Sequence, residues 1–376
     1  MPRLPALTSL RFFAALAVFL HHSTDGQMIG FALGAAHGVA FFFVLSGFIL
    51  AYSYPALAAW PDRRAFLVAR FARIWPAHVT AIVVVCIVMP SAVFPSLSLW
   101  QVATNLTMTQ TWLPFTEFNY SINGPSWSIS TEFFFYFAFL FLILDFRRTW
   151  HWKLVATFLV VVALIMLGSF LHISSQSTTA LINGDSLLYE FAPARLFEFT
   201  VGMCGAFLWR AMHQNVNSGS RLLWTLAEIV AIASVVATSR MIYLYRDSSI
   251  SLSPAGWWFG SFSITLPAII LITVMAFQKG AVSSFLAVKP FVLLGEISYS
   301  FYLFHSIILY VIFFKYPLAA PTWILFVLSL AATLIVSYLV WWLIETPLRM
   351  WIRRLGMVSR PVIPVANANA VASPVR

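Results

Sequence analysis

Three groups of residues in this chain are of types that do chemistry and stand where they are costly to place. The segment LTSLRFFAALAVFLHH, residues 7–22, carries Arg11 near one end and His21 and His22 at the other. In GPSWSISTEFFFY, residues 124–136, Glu132 lies over a turn inside an apolar run. RRAFLVARFARIWP, residues 63–76, brings Arg70 and Arg73 onto one face through their i,i+3 spacing. In a helix, Arg11 and His22 are about 16 Å apart along the axis and return to nearly the same face. His21 points elsewhere, so only His22 shares the stripe of Arg11. Guanidinium groups bind phosphate well. An imidazole beside a carboxylate is oriented and made more basic, as a general base requires. At matching depth, Glu132 is the expected orienting partner of His22.

Each group also has a plainer reading. Arg11 snorkels to headgroups, the two histidines sit at an interface, and Arg70 and Arg73 anchor a membrane surface. Ser126 or Ser128 caps a helix, and Glu132 complements its dipole. Taken one at a time, the residues leave both readings open.

The elements that position them must lie in lipid. Of 376 residues, 61% are hydrophobic and only 9% charged, with 36 Phe and 15 Trp. Soluble domains are roughly 45–50% apolar and about 25% charged, so the chain is read as a polytopic membrane protein. The net charge of +10 falls in short clusters between apolar runs, as juxtamembrane anchors do, which argues against nucleic acid as a partner. Cys86 and Cys204 lie in apolar stretches and read as buried thiols, with no disulfide framework and no metal-ligand spacing. The first apolar run holds Arg11, ends in two histidines and lacks a small-x-small cleavage site, so it is expected to stay as a helix.

A window of about 20 apolar residues places ten spans, near 7–23, 34–54, 75–95, 126–145, 152–173, 195–211, 222–243, 257–277, 296–315 and 322–345. All are expected to be helices, because backbone groups in lipid must be satisfied internally. Residues 96–125 read as a loop or interfacial helix. The domain expected is 1–356, with a disordered cytoplasmic tail over 357–376. Lys and Arg alternate consistently. One set of loops holds Arg63, Arg64, Arg70, Arg73, Arg147, Arg148, Lys153, Arg210, Arg221, Lys279 and Lys289, and the C-terminal segment adds Arg349, Arg353, Arg354 and Arg360. The other set holds Arg195, Arg246 and Lys315 near span ends, with none in 24–33 or 96–125. Both termini are therefore expected to be cytoplasmic, with Arg11 in the inner half of span 1 and His22 near its outer end.

Weaker candidates remain. His305, mid-span in SYSFYLFHS, reads as a packed, hydrogen-bonded histidine. Glu198 either pairs with Arg195 or faces a cavity, and Glu345 and Arg349 form a structural pair four residues apart. His37 stays ambiguous. No Gly-rich phosphate loop or Gly-x-Ser-x-Gly elbow is present.

These segments together resemble the membrane acyltransferase 3 family, bacterial enzymes that mostly O-acylate cell-surface and secreted carbohydrates. The resemblance rests on Arg11 and His22 in an Arg-x10-His pattern, FFFVLSGFIL at 41–50 and RFARIWP at 70–76. It continues with WSISTEFFFY at 127–136, SYSFYLFHS at 298–306 and ETPLR at 345–349. Any one motif is weak; six in order and in matching topology are specific. The resemblance implies an all-α bundle of ten transmembrane helices in a bacterial inner membrane. It also implies an acyl-CoA co-substrate, most often acetyl-CoA, reached from the cytoplasm, no tightly bound cofactor, and a saccharide hydroxyl as acceptor. His22 is then the catalytic base, and Arg11, Arg70 and Arg73 hold the donor. Glu132, Trp127, Ser128 and His305 complete or support the site. Many relatives carry a further hydrolase-like domain, whereas this chain stops about 30 residues after span 10, so any such function is expected to come from elsewhere. No activated Ser or Cys stands in a recognisable context, which favours direct transfer. The rival from another class is a transporter or flippase; half-to-half similarity is not evident, although Pro267 inside span 8 is a possible helix break.

Overall fold

The computed structural model describes residues 3–23, 37–57, 59–90, 97–174, 180–213, 220–245, 253–316 and 320–355. The tail at 357–376, Arg246 and Arg360 lie outside these residues. Every regular element described is helical. Span 1 is α1 (Pro5–Ser23), span 2 is α2 (Gly38–Ser53), and α3 (Trp60–Val88) runs from the arginine cluster through span 3. A short α4 (Leu99–Leu106) opens the less apolar stretch, and α5 (Trp127–Leu142) and α6 (Phe146–Phe170) follow. Then come α7 (Leu196–His213), α8 (Arg221–Tyr245), α9 (Pro254–Phe262) and α10 (Thr265–Ala276). The chain closes with α11 (Ala281–Leu286), α12 (Lys289–Tyr310), α13 (Thr322–Val340) and α14 (Thr346–Leu355).

Each of the ten expected spans contains helix. Seven stretches are long and apolar enough to cross a membrane, counting α9 with α10 and α13 through α14 as one each. Of the others, α2 is apolar but only 16 residues long, and α5 and α7 fall outside the seven. The chain is thus a multi-pass membrane protein. Its break near span 8 falls between Phe262 and Thr265, while Pro267 sits in the first turn of α10, where its missing N–H costs nothing. Residues 96–125 form α4, opened by a reciprocal capping box between Ser98 and Gln101, and a single turn at Thr116–Asn119.

The centre of the molecule is two close helix pairs, α1 on α12 and α2 on α7. Hydrophobic attraction between helices is absent in lipid, so close approach depends on small residues. A Cβ at Gly47 would overlap the carbonyl oxygen of Phe199, and one at Gly202 that of Val44, so α2 and α7 meet backbone to backbone. Gly295 of α12 lies likewise against the carbonyl of Thr8 on α1. Above that crossing Phe12, Phe19 and Phe301 interlock, with Phe301 centroids 5.5 Å and 5.7 Å from the other two. The most apolar 18-residue stretches of α1 and α12 are each 61% buried, against 17% for those of α6 and α8. Of the residues singled out above, Arg11 and His22 lie on α1 and His305 on α12, while Arg70 and Arg73 lie on α3 and Glu132 on α5; α6 and α8 present apolar side chains outward.

Candidate functional site

Arg11, Arg70 and Arg73 converge. They line a cavity of about 360 Å³ with Glu132, Glu296 and Arg349, within the range of small-ligand sites. Arg11 comes from α1, Arg70 and Arg73 from one face of α3, Glu132 from α5, Glu296 from α12 and Arg349 from α14. The Arg70 guanidinium lies over the Tyr54 ring and donates to its hydroxyl at 3.4 Å, while its buried Nε has no partner. Four guanidiniums against two carboxylates give the cavity a net positive lining suited to a polyanion. Arg349 does approach Glu345, at 3.8 Å, but it also faces the cavity, so a purely structural pair is too narrow a description. Glu296 and Arg349 were the residues least visible as site members; a lone carboxylate in the apolar run VLLGEISYS was the available signal.

Glu132 is oriented by α5 itself, since Tyr136 one turn on donates to its Oε1 at 2.6 Å. It does not serve as the hydrogen-bond partner of His22. That partner is His305, whose Nε2 is 3.1 Å from His22 Nδ1. The depth match between Glu132 and His22 fails for a local reason. Asn123, just before α5, donates to the Leu303 carbonyl and accepts from Ser306, on either side of His305. The chain thus enters α5 at the level of His305, and Glu132, nine residues on, lies about 13 Å deeper. It shares the level of Arg11.

His305 is fully buried, and its Nδ1 is 2.6 Å from the Tyr302 carbonyl. A carbonyl only accepts, so Nδ1 of His305 carries the proton. With both rings neutral, His305 Nε2 then accepts from Nδ1–H of His22, and His22 Nε2 keeps a free lone pair. His22 itself is exposed at the end of α1. The packed, hydrogen-bonded character of His305 holds, and its second nitrogen shares with the Val18 backbone in orienting the His22 ring.

Ser128 donates to the Tyr302 hydroxyl at 2.9 Å, and the Ser126 side chain makes no cap bond, so neither serine spends its hydroxyl capping an N–H of α5. Trp127 lies against Tyr189 and Phe43, with centroids at 4.8 Å and 6.1 Å, and does not line the cavity. Arg195 and Glu198 form a fully buried two-pronged ion pair, with the guanidinium carbon 4.2 Å from the Phe262 ring centroid. His37 bonds the Gly260 carbonyl at 2.9 Å. Cys86 and Cys204 are free and only half-buried, less enclosed than expected.

Residues 4–342 match a family described as an acyltransferase domain. Among similar proteins is the acyltransferase MdmB of Streptomyces mycarofaciens, 30% identical over 82% of this chain and 79% of that protein. The O-acetyltransferase OatA of Staphylococcus aureus is 24% identical over 92% of this chain and 57% of its own length. The peptidoglycan O-acetyltransferase OatA of Listeria monocytogenes is 25% identical over 92% and 56%. The chain thus spans little more than half the length of the OatA proteins. No solved structure matches.

Proposed function

The chain belongs to the acyltransferase 3 family, and from that premise we propose that it is a membrane O-acyltransferase moving an acetyl group from acyl-CoA to a saccharide hydroxyl. The observation that carries this reading is α1 itself. One end faces a cavity lined by four arginines, and the other ends in a histidine hydrogen-bonded to a second histidine. The positive-inside distribution puts the arginine end at the cytoplasm, where acyl-CoA is made, and His22 at the outer face, with both termini inside. The names of the OatA relatives specify O-acetyl transfer, one of them to peptidoglycan, which favours a cell-surface, exported or lipid-linked saccharide as acceptor. A bacterial cytoplasmic membrane suits that traffic.

In this reading the arginines hold the donor's phosphates while its flexible arm extends along α1 toward His22. His22 Nε2 takes the proton of the incoming hydroxyl. The oxygen attacks the thioester carbonyl, the new C–O bond forms, the C–S bond breaks, and the thiolate leaves with the proton from His22. His305 keeps accepting from Nδ1–H throughout, and so holds the imidazolium in place. Glu132 balances the arginine lining instead of touching the base.

The test compares His22→Ala with His21→Ala, following acetyl transfer to surface carbohydrate in a deletion strain with membrane protein levels checked. His22→Ala is expected to lower transfer by about 10²–10⁴-fold, the usual contribution of general-base catalysis, while His21→Ala retains most of it. Equal activity in both variants would remove His22 from the mechanism.

A further inference from the structure

The large cavity continues into a second, much smaller chamber of about 30 Å³, and Arg11, Phe42 and Glu132 line both. Beyond the three shared residues, its lining combines the apolar Val39, Phe43 and Ile129 with Ser128, Ser298 and the rings of Tyr299 and Tyr302. Its end is latched. Ser128 bonds the Tyr302 hydroxyl, and the Phe42 and Tyr302 rings meet edge to face at 5.9 Å. Tyr302 is also the residue whose carbonyl holds His305, and its ring centroid is 5.8 Å from the His305 ring. Tyr302 therefore borders both the chamber and the histidine pair.

The size of the chamber is selective. A water-sized group needs roughly 10–15 Å³ of such space, so the chamber takes two or three. That is the size of a methyl group and a carbonyl, and two further methylenes have no room.

We propose that this chamber seats the acyl group of the donor, and that Phe42, Val39 and Tyr302 set the chain length the enzyme accepts. The proposal rests on the acyl-CoA reading above. The ends of pockets built this way discriminate by about 10–200-fold per methylene. Because α2 and α7 are locked backbone to backbone at Gly47 and Gly202, the wall bearing Phe42 and Val39 has little freedom to retreat.

The test measures binding of coenzyme A, acetyl-CoA, butyryl-CoA and hexanoyl-CoA to the purified full chain by calorimetry. The wild type is expected to bind acetyl-CoA at least 10-fold more tightly than butyryl-CoA, with hexanoyl-CoA weaker again. Phe42→Ala is expected to shift the acetyl-to-butyryl ratio by 10-fold or more toward butyryl, and Val39→Ala, a milder enlargement of the same wall, to shift it in the same direction. Equal wild-type affinities for all three thioesters, or a ratio unmoved in both variants, would overturn the chamber while leaving the donor reading intact. Failure of the wild type to bind any of the four would overturn the donor reading and the chamber with it.

Discussion

His22 and His305 divide one task between two rings. A base on a helix end is useful only if its lone pair points at the substrate, and the carbonyl of Tyr302 contributes to that through two hydrogen bonds in series, together with the Val18 backbone. The role of His305 is therefore to position, and the conservative variant separates that role from packing. In His305→Gln an amide oxygen still accepts from His22 Nδ1–H, so transfer is expected to fall about 10-fold; His305→Leu, similar in bulk but without an acceptor, is expected to fall by about 100-fold or more. Equal losses, with equal amounts of folded protein, would reduce His305 to a core residue. Arg11, His22, Arg70 and Arg73 were legible in the sequence because each is a charge or imidazole in an apolar run at helical spacing. The partner of His22 was not. Axial depth follows from counting residues along one helix, but the level at which a second helix starts depends on how its preceding loop folds. Here Asn123 makes that decision, and nothing in its local sequence announces bonds to residues 180 positions away.

The helices meet through contacts that are as consequential as the site itself. Gly295 lets α12 reach α1 one turn below Arg11, and that approach holds His305 within reach of His22. Gly295→Leu is expected to part the two helices, lower the thermal midpoint by several degrees and abolish transfer. Gly280 plays a different part. Its backbone N–H and those of Val282 and Ser283 all bond the carboxylate of Glu228, which is fully buried on α8 and caps the start of α11. Glu228→Gln keeps the shape but loses the charge and one acceptor, and a cost of about 1–3 kcal/mol is expected in denaturant unfolding, with acyl transfer retained in the protein that stays folded. Helix existence was well legible from apolar runs of about 20 residues. Helix ends were not: α3 begins at Trp60 rather than near residue 75, because a hydropathy window rejects the arginine-rich turns that the helix carries through to its apolar half.

Across the whole molecule, the described titratable groups are sparse, and outside the spanning helices burial raises two neighbouring carboxyls, Asp185 to about 6 and Glu190 further. Glu190, in the π-helical turn Asp185–Glu190, is 1% exposed and has one oxygen without a partner. Burial pushes its carboxyl up from 4.5 to about 7, even though Tyr120 and Asn119 hydrogen-bond to it and pull the other way. A raised carboxyl favours the protonated folded state, so its stabilising effect is full below about pH 4.5 and is lost as pH rises through about 7. The wild type is thus expected to lose about 3 kcal/mol between pH 4.5 and 8 from this one group. Glu190→Gln is expected to flatten that part of the pH profile of thermal unfolding in detergent. An unchanged profile would remove Glu190 as its source.

The narrow latch at Ser128 and Tyr302 has an electrical consequence. Each elementary charge carried across a membrane is worth about 2.3 kcal/mol per 100 mV, and a donor with several phosphates could not be drawn through against such a field. On the proposed arrangement it does not travel. The phosphates stay with Arg11, Arg70, Arg73 and Arg349, and what passes the latch outward is an acyl group, exchanged for one proton returning to the thiolate. That swap moves no net charge. The reaction is accordingly expected to run at the same rate in energised and de-energised vesicles, indifferent to the voltage across the bilayer in which it occurs.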